Sequence, residues 1–369
     1  MPSIKTKKDK NGMWHARVFA GRDANGKQIN KRFVGYTERE VKRQAEGFID
    51  EIKRNPKAVG MTLREATAKY INYLETKKNP LAASTIRRYD SYARCHFQKL
   101  QDVAIISIDD AMIQDEIFEL ETKVGAKTIR NVVHFYVPCI KHFRKNFQPI
   151  LELPELQRPV TKVPETDELR GKIPTITNVR LKIPVLLAAY CGMRESEIAV
   201  LDLKTDIEYD KTVELAGSTH EVSIIHITKA MVMDKTNKYV IKETKSYAGT
   251  RDLFIPKWLS DILKETRDDP SYVPYPPHKM ASRFCYWAKR NGINCSMHGL
   301  RHFYASFMDA LNIPDNYAML LMGHSTDTML KRYQEIMKQK ELEVNRDLLI
   351  FLENNAPIHH LNTPPTHVE

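Results

Sequence analysis

The sequence predicts a multidomain α+β protein that is mainly helical. The chain has 369 residues, more than one ordinary domain holds, which suggests two or three domains. Apolar residues alternate near the N-terminus as they do in strands, and then recur at helical spacing up to a proline-rich stretch. We therefore expect five segments, at residues 1–57, 61–147, 148–173, 174–352 and 353–369.

The first segment, residues 1–57, is predicted to form a small sheet followed by a helix. Trp14–Ala20 alternates as a strand does, and Gln28–Val34 is the returning strand. Between them, Ala24–Lys27 contains an Asn-Gly pair, which is a strong hairpin signal. Thr37, followed three residues later by a glutamate, then provides a capping box that opens the helix.

Helices are predicted throughout residues 61–147. Thr62 and Ser84 are favoured N-cap residues, each before a stretch with helical apolar spacing, and Asp109–Thr122 gives a further helix. The last helix begins near Lys127 and is amphipathic, as expected for a small bundle. With the helix opened by Thr37, the predicted helices end near Arg54, Leu74, Lys99, Thr122 and Asn146.

The charge of the chain favours an anionic polymer as partner. The formal net charge is +11 and the pI is near 9.2, and residues 1–60 alone hold fifteen Lys/Arg against seven Asp/Glu. A basic surface that is merely solvated is the alternative. The candidate phosphate contacts are Arg17, Lys31 and Arg32 on the predicted sheet, above Trp14 and Phe33, and Lys127, Arg130 and Lys141 on the last helix, whose exposed side also carries Arg144 and Lys145.

Two segments lack a regular apolar pattern. Residues 148–173 contain four prolines and mixed charge, and are predicted to be a linker that lets two lobes close around a ligand. Residues 353–369 contain a Pro-Pro pair and several histidines, and are predicted to be a disordered tail. The larger, mixed α/β domain is expected between them.

The cysteines and the hydropathy pattern argue against several classes of protein. The five cysteines are widely spaced and form no Cys-x-x-Cys pair, which supports neither a disulfide framework nor a zinc site. No apolar run is long enough to cross a bilayer, and the N-terminus lacks a signal-peptide core. We expect a protein of the cytoplasm that uses no metal and no cofactor.

Six residues in the C-terminal half have the chemistry needed to break a phosphodiester without metal. Guanidinium groups pair with phosphate oxygens in bidentate fashion, and a histidine three residues before an arginine lies on the same helical face. A tyrosine can act as nucleophile, and a lysine with a lowered pKa can act as general acid. The six are Arg194, Lys245, His298, Arg301, His324 and Tyr333.

The order and the surroundings of these residues resemble the catalytic domain of the tyrosine recombinase (phage integrase) family. The matching segments are Cys191-Gly-Met-Arg194, Lys245-x-x-Ala-Gly-Thr-Arg251, His298-Gly-Leu-Arg301 and Gly323-His324, with Tyr333 nine residues after His324. The resemblance implies that Tyr333 is the nucleophile, that Lys245 is the general acid for the leaving 5′-hydroxyl, and that His324 supports the site. Lys242 is the alternative to Lys245.

The resemblance also implies a domain plan and partners. It is strong over residues 174–340, which implies the mixed α/β fold of a tyrosine-recombinase catalytic domain. Residues 61–147 resemble the helical core-binding domain of the family, and residues 1–57 resemble its three-stranded, arm-type DNA-binding domain. The implied partners are double-stranded DNA at core and arm sites, three further copies of the chain, an excisionase and a DNA-bending protein, all in a bacterial host cell.

Several alternatives remain open at this point. Cys191 and Gly299 stand where the family more often has threonine and aspartate, but neither change removes a catalytic group. His298 and His302 have the spacing of a metal pair, without the glutamate or third ligand of a zinc motif. The apolar segment Gln334–Leu352 can pack in cis or on a neighbouring copy. As a whole, the chain can also be a type IB topoisomerase or a DNA-binding regulator without activity.

Overall fold

The computed structural model describes residues 4–22, 26–156, 164, 166–215, 217–243, 249–323 and 334–356. The chain divides into two compact units, residues 1–158 and residues 159–369. The described residues are mostly helical, with a small N-terminal sheet and a second sheet in the C-terminal unit. The multidomain α+β fold with predominant helix is therefore confirmed, and in this part of the chain no helix is long and apolar enough to cross a membrane.

The N-terminal unit begins with an antiparallel three-stranded sheet and a helix. The strands, in the order of the sheet, are β1 (Thr6–Lys8), β2 (Trp14–Arg22) and β3 (Gln28–Gly35), and helix α1 (Glu38–Arg54) follows. The side chain of Thr37 accepts a hydrogen bond from the backbone of Glu40, as its predicted N-cap role requires. Alternate residues of β2, beginning at Ala16, are buried under α1, which leaves the other face of the sheet exposed.

Four helices follow in the same unit. They are α2 (Leu63–Thr76), α3 (Ala83–Cys95), α4 (Asp110–Glu121) and α5 (Ala126–Phe143). Thr62 caps α2 as predicted and forms a complete capping box with Glu65, and Asp109, where a helix was predicted to begin, is the N-cap of α4. The prediction of α3 was wrong at both ends. It begins at Ala83, one residue before its predicted cap Ser84, and it ends at Cys95 because Phe97 adopts a left-handed φ of 52°.

Residues from the sheet, α1 and the four following helices share one hydrophobic core. Glycines allow the close junction, since Gly60 donates its N–H to the carbonyl of Ala20 and a Cβ on Gly21 would lie 2.5 Å from the Gly60 nitrogen. Arg144 was predicted to be exposed, and that was wrong. Its side chain is 9% exposed, and its guanidinium pairs with Glu51 of α1 and donates to the carbonyls of Ile105 and Ile108. The division into separate domains at 1–57 and 61–147 stays a prediction.

The stretch predicted as a linker has ordered contacts at both ends. Ile150 donates its N–H to the carboxylate of Asp110, and the side chain of Gln114 bonds both backbone groups of Glu152. At the other end, residues 166–172 form helix α6, whose Leu169 is fully buried in the core of the C-terminal unit. This short helix contains one apolar residue, Leu169, so the sequence offers no apolar spacing from which to predict it.

The C-terminal unit is built around one large hydrophobic core. Its remaining helices are α7 (Val179–Cys191), α8 (Glu195–Ile198), α9 (Lys257–Arg267), α10 (Pro277–Arg290), α11 (Met297–Ala310), α12 (Asp315–Leu321) and α13 (Gln334–Asn354). Strands β4 (Ile207–Leu215), β5 (Ser218–Ile227) and β8 (Arg251–Ile255) form an antiparallel sheet, and β6 (Lys229–Met233) and β7 (Tyr239–Glu243) form a hairpin. Helix α7 is apolar on all sides because it is the centre of this core.

The last helix packs on its own chain. Val344, Leu348 and Leu352 of α13 are buried in the core of the C-terminal unit, and Trp258 donates its ring N–H to the carbonyl of Leu352. This favours the cis alternative for the part of the segment whose side chains are described. The packing continues into the predicted tail, where Ala356 is buried and its carbonyl accepts a hydrogen bond from Arg170. The rest of the predicted tail, from residue 357, lies outside the described residues.

Candidate active site

A tight turn between α7 and α8 positions Arg194. Gly192 ends α7 with a left-handed φ of 60°, and its carbonyl accepts a hydrogen bond from the buried guanidinium of Arg301. A Cβ at Gly192 would overlap the ring of Tyr304, so the turn requires glycine. Two residues later, Arg194 is the N-cap residue of α8, with its side chain 31% exposed.

Helix α11 supplies His298 and Arg301 from one face. Ser296 caps the helix by accepting a hydrogen bond from the backbone of Gly299, which fixes where the helix begins. Arg301 is 1% exposed, and its two terminal nitrogens donate to the carbonyls of Gly192 and Met322. Its Nε atom is buried and has no hydrogen-bond partner among the residues that the structure describes. His298 is exposed, at the open side of the same face.

Glu197 joins Arg194 to Arg251. The carboxylate is 3% exposed, and it accepts from Arg194 Nη1 at 2.6 Å and from the Arg194 backbone N–H at 2.9 Å. It also binds both terminal nitrogens of Arg251, at 3.1 and 2.9 Å. Arg251 is the first residue of β8, and its side chain is 7% exposed. One buried carboxylate is therefore shared by two guanidinium groups.

The three arginines also hold three consecutive carbonyls at the end of α12. Arg251 Nε donates to the carbonyl of Leu321 at 2.9 Å, and Arg194 Nη2 donates to that of Gly323 at 2.7 Å. Arg301 takes the carbonyl of Met322 between them. Carbonyls at a helix C-terminus carry partial negative charge and lack partners in their own helix, so cations stabilise them. The turn that leads directly to His324 is thereby fixed to the arginines.

The electrostatics of this cluster favour an anion. Burial, followed by the charges of Arg194 and Arg251, lowers the pKa of Arg301 to about 9. Burial alone would raise the pKa of Glu197, but the hydrogen bonds and charge of Arg251 and Arg194 lower it overall, so this carboxylate is ionised. Three guanidinium groups thus face one carboxylate. A phosphate diester brought to Arg194 and Arg301 would offset part of the surplus charge.

His298 is poised to be neutral in the DNA-free protein. Although the residue is exposed overall, the protein around its ring displaces part of the solvent, which lowers its pKa first, and the nearby charges of His302, Arg301 and Arg194 lower it further. The rings of His298 and His302 are perpendicular, with centroids 5.1 Å apart. Among the residues that the structure describes, no group of three or more His, Cys, Asp or Glu side chains is placed to hold a metal ion. The pair therefore has no third protein ligand in this part of the chain.

Three of the six predicted catalytic residues lie outside the described residues. They are Lys245, His324 and Tyr333, and their assignments stay predictions. The described chain reaches Glu243 at the end of β7, Gly323 after α12, and Gln334 at the start of α13. Lys242, the alternative to Lys245, is exposed on β7 and pairs in register with Ala230 of β6.

The predicted DNA contacts on the sheet divide between its two faces. Arg17 and Arg32 are cross-strand partners on the exposed face, beside Phe19, which is 51% exposed. Lys31 was predicted to share that face, and that was wrong, because it alternates to the opposite side. There its ammonium donates to the carbonyl of Ser107 at 2.8 Å and pairs with Asp109 at 3.2 Å.

On helix α5, Lys127 and Lys141 are exposed, as a phosphate contact requires. Arg130 is half-buried, and its Nε donates to the carbonyl of Pro154 at 2.9 Å, so part of its donor capacity is used inside the unit. None of these contacts is tested by a bound nucleic acid, and all remain predictions.

Arg251 is the residue of this site that sequence reasoning missed. It is the last residue of the Lys-x-x-Ala-Gly-Thr-Arg pattern, in which only the lysine was assigned a catalytic role. The available signal was an arginine at the start of an otherwise apolar strand, where a buried cation needs a partner. Glu197 lies three residues after Arg194 in the sequence, and in the structure its carboxylate accepts a hydrogen bond from the Arg194 side chain.

Known proteins resemble this chain at two levels. Residues 165–340 match the model of the phage integrase family. The structure of the Tn1549 transposon integrase in complex with transposon right end DNA aligns with a TM-score of 0.55 and 15% identity, over 73% of this chain and 94% of that one. A lambda integrase dimer bound to a COC′ core site aligns with a TM-score of 0.51 and 15% identity, over 90% and 95%. No curated protein matches the sequence.

Proposed function

The chain belongs to the phage integrase family, and on this premise we propose that it is a site-specific DNA recombinase that cuts and rejoins DNA. The observation that carries the proposal is that Arg194 and Arg301 lie in one cluster, which contains more guanidinium groups than carboxylates. Such a cluster is preorganised for the negative charge that develops on a phosphate during cleavage. Family membership and this charge balance support the same reaction.

In the proposed reaction, the phenolic oxygen of Tyr333 attacks the scissile phosphorus. The bond from phosphorus to the 5′-oxygen breaks, leaving a 3′-phosphotyrosyl ester and a free 5′-hydroxyl. Lys245 donates the proton that the leaving oxygen takes up, and His298, kept neutral by its lowered pKa, is available to accept the proton of the tyrosine. A 5′-hydroxyl from another strand then attacks the ester and restores a phosphodiester, so no nucleotide cofactor is consumed.

Strand exchange by this chemistry requires several copies of the chain. We propose a homotetramer on DNA in which two strands are exchanged at a time through a Holliday junction. A lambda integrase tetramer bound to a Holliday junction has the same fold, with a TM-score of 0.50, 15% identity and coverage of 89% of this chain and 94% of that one. This similarity supports the fold, while the tetramer of the present chain is part of the proposal.

The N-terminal unit would supply the DNA-binding surfaces outside the catalytic unit. We propose that the helical region binds the core site, and that the exposed face of the sheet, with Arg17 and Arg32, binds an arm-type site. An arm-type module favours integration of a phage or conjugative-element genome. An excisionase and a DNA-bending protein would then control direction, and the reaction would occur at the nucleoid in the bacterial cytoplasm.

Two other functions use the same scaffold. A type IB topoisomerase would relax DNA as a lone monomer without preferred sites, and a regulator would bind DNA without covalent attachment. The intact set of predicted catalytic residues favours an enzyme over a regulator. The basic N-terminal module favours a recombinase with defined sites over a topoisomerase.

Covalent capture on a nicked suicide substrate tests the proposal. The duplex is taken from the DNA that flanks the gene, and its nick lets the cleaved end diffuse away, so the phosphotyrosyl adduct accumulates. We expect an adduct that survives denaturant, that forms in the presence of a chelator, and that Tyr333→Phe does not form. Tight binding without an adduct at any flanking site would instead support the regulator.

A further inference from the structure

We propose that Arg251 is a positioning residue for the cleavage reaction, acting through Glu197 and the end of helix α12 on Arg194. This inference rests on the proposed function, because it assumes that Arg194 neutralises the scissile phosphate. Its own basis is the set of contacts that Arg251 makes among the described residues. Arg251 would determine how far the Glu197 carboxylate neutralises Arg194, and hence how much positive charge Arg194 offers to DNA.

Arg251 and Arg194 share the hydrogen bonds of the Glu197 carboxylate unequally. Arg251 binds it through two terminal nitrogens, whereas the side chain of Arg194 makes one hydrogen bond to it. Arg251 is 7% exposed and Arg194 is 31% exposed, so the more deeply buried cation has the bidentate pairing. Arg194 uses Nη1 for the carboxylate and Nη2 for the carbonyl of Gly323, and its side chain stays partly exposed.

Removing the Arg251 cation would change this division. Glu197 is 3% exposed, and a buried carboxylate needs a counterion. With Arg251 gone, Arg194 would be the remaining cationic partner among the described residues, and the carboxylate would hold its guanidinium more tightly. The positive charge offered to a phosphate would fall even though Arg194 itself is unchanged. Arg251 therefore keeps Glu197 from neutralising the arginine that meets DNA.

The second argument is the shared turn. Arg251, Arg301 and Arg194 hold the successive carbonyls of Leu321, Met322 and Gly323. Arg251 is the only one of these three arginines outside the predicted catalytic set. Loss of its hydrogen bond would leave the Leu321 carbonyl without this donor and loosen the turn to which Arg194 is attached. Both arguments predict the same consequence, which is a less well-placed Arg194.

The test uses the chemistry of the scissile phosphate. A methylphosphonate replaces one non-bridging oxygen with a methyl group and removes the negative charge, so cleavage needs less help from a cation. Nicked substrates carrying either phosphate or methylphosphonate are compared in the full-length protein with Arg251→Gln, Arg251→Lys and Arg194→Ala. Arg170→Gln is the matched control, because Arg170 is also largely buried and bonds a carbonyl, that of Ala356, in the same unit.

We expect Arg251→Gln to slow covalent-complex formation on the phosphate substrate by about 10- to 100-fold. This is the loss typical of removing a residue that orients a metal ligand from outside the coordination shell. The deficit should shrink at least tenfold on methylphosphonate, as for Arg194→Ala. Arg251→Lys, which keeps a cation, should lie between Arg251→Gln and the wild type. Arg170→Gln should behave as the wild type on both substrates.

The outcomes separate the inference from the proposed function. Equal slowing of Arg251→Gln and Arg251→Lys on both substrates, with relief for Arg194→Ala, would show that Arg251 is merely structural. Absence of relief for Arg194→Ala would overturn its assigned role, and the inference with it. Thermal unfolding of each variant is measured alongside, and if Arg251→Gln does not fold, the lysine variant decides the question by the same comparison.

Discussion

Gly192 lies directly against the ring of Tyr304, and this ring together with the sulfur of Met322 occupies the space that a Cβ would need. A Cβ built at Gly192 would stand 2.9 Å from Cε1 of Tyr304 and 3.1 Å from the sulfur of Met322. Tyr304 is itself 2% exposed and cannot move outwards freely. The turn that presents Arg194 is thus packed on the helix that presents Arg301.

This contact predicts that Gly192→Ala impairs both stability and cleavage. The alanine must adopt a left-handed φ and displace Tyr304, and overpacking of this kind typically costs about 1–3 kcal/mol. Because Arg301 donates to the carbonyl of Gly192, the displacement also moves an arginine of the predicted catalytic set. We expect a lower midpoint of thermal unfolding and a slower rate of covalent-complex formation.

Gly125→Ala is the control for that prediction. Nothing lies within 4 Å of the Cβ position at Gly125, and its φ of −72° is open to any residue. Unfolding and cleavage should match the wild type. A Gly192→Ala protein with the wild-type cleavage rate would show that the turn tolerates a side chain and that our account of its packing is wrong.

The pKa of His298 gives a prediction about pH. Its folded-state pKa lies below its ordinary value because of burial and the charges of His302, Arg301 and Arg194. The unfolded chain therefore binds the proton more tightly than the folded chain does. The contribution of His298 to stability is fully present above its unfolded pKa, near 6.5, and is lost as pH falls from there through the folded pKa.

Histidine NMR signals measure this directly in the DNA-free protein. We expect His298 to titrate below pH 6.5, and His302→Gln to move its pKa upwards by removing one of the neighbouring positive charges. His278→Gln serves as the control, since His278 bonds Tyr239 at 2.5 Å and is not among the groups that shift His298. A His298 that titrates at or above the ordinary value would contradict the proposed proton acceptor.

Much of the fold was predictable from local sequence, and the exceptions have physical reasons. Thr37 and Thr62 cap their helices as predicted, and the helix predicted from Asp109 begins directly after that residue, because an N-cap depends on residues three positions apart. The burial of Arg144 was not predictable in this way. It depends on Glu51, which lies 93 residues away, and on two carbonyls of another segment.

The active site shows the same contrast. Arg194, His298 and Arg301 were recognised because short motifs surround them, and the structure places Arg194 and Arg301 in one cluster. Arg251 was missed because its role depends on Glu197 and Leu321, which are distant in sequence. Lys31 was assigned to the wrong face because adjacent residues of a strand point to opposite faces of the sheet, so Lys31 and Arg32 of β3 cannot share one.

The pair Arg144 and Glu51 predicts that the N-terminal unit unfolds as one body. Arg144→Met removes the partner of the half-buried Glu51 carboxylate and the donor to two carbonyls, and the loss of a hydrogen bond to a charged group costs about 1.5–3 kcal/mol. Amide hydrogen exchange should become faster in both α1 and α5. The control is Arg64→Met, because the Arg64–Asp102 pair is exposed and contributes about 0–1 kcal/mol. Faster exchange in α5 alone would mean that the two parts are stabilised separately.

The two faces of the N-terminal sheet predict opposite behaviour for its basic residues. Arg17 and Arg32 are exposed, whereas Lys31 is engaged with Ser107 and Asp109. If the exposed face neutralises phosphates, Arg17→Ala and Arg32→Ala should each weaken DNA binding and reduce the slope of log affinity against log salt by about one. Lys31→Met should leave that slope unchanged and lower the thermal stability instead. Binding titrations over a range of salt concentrations distinguish the two faces, and a reduced slope for Lys31→Met with none for the arginines would place the DNA on the other face.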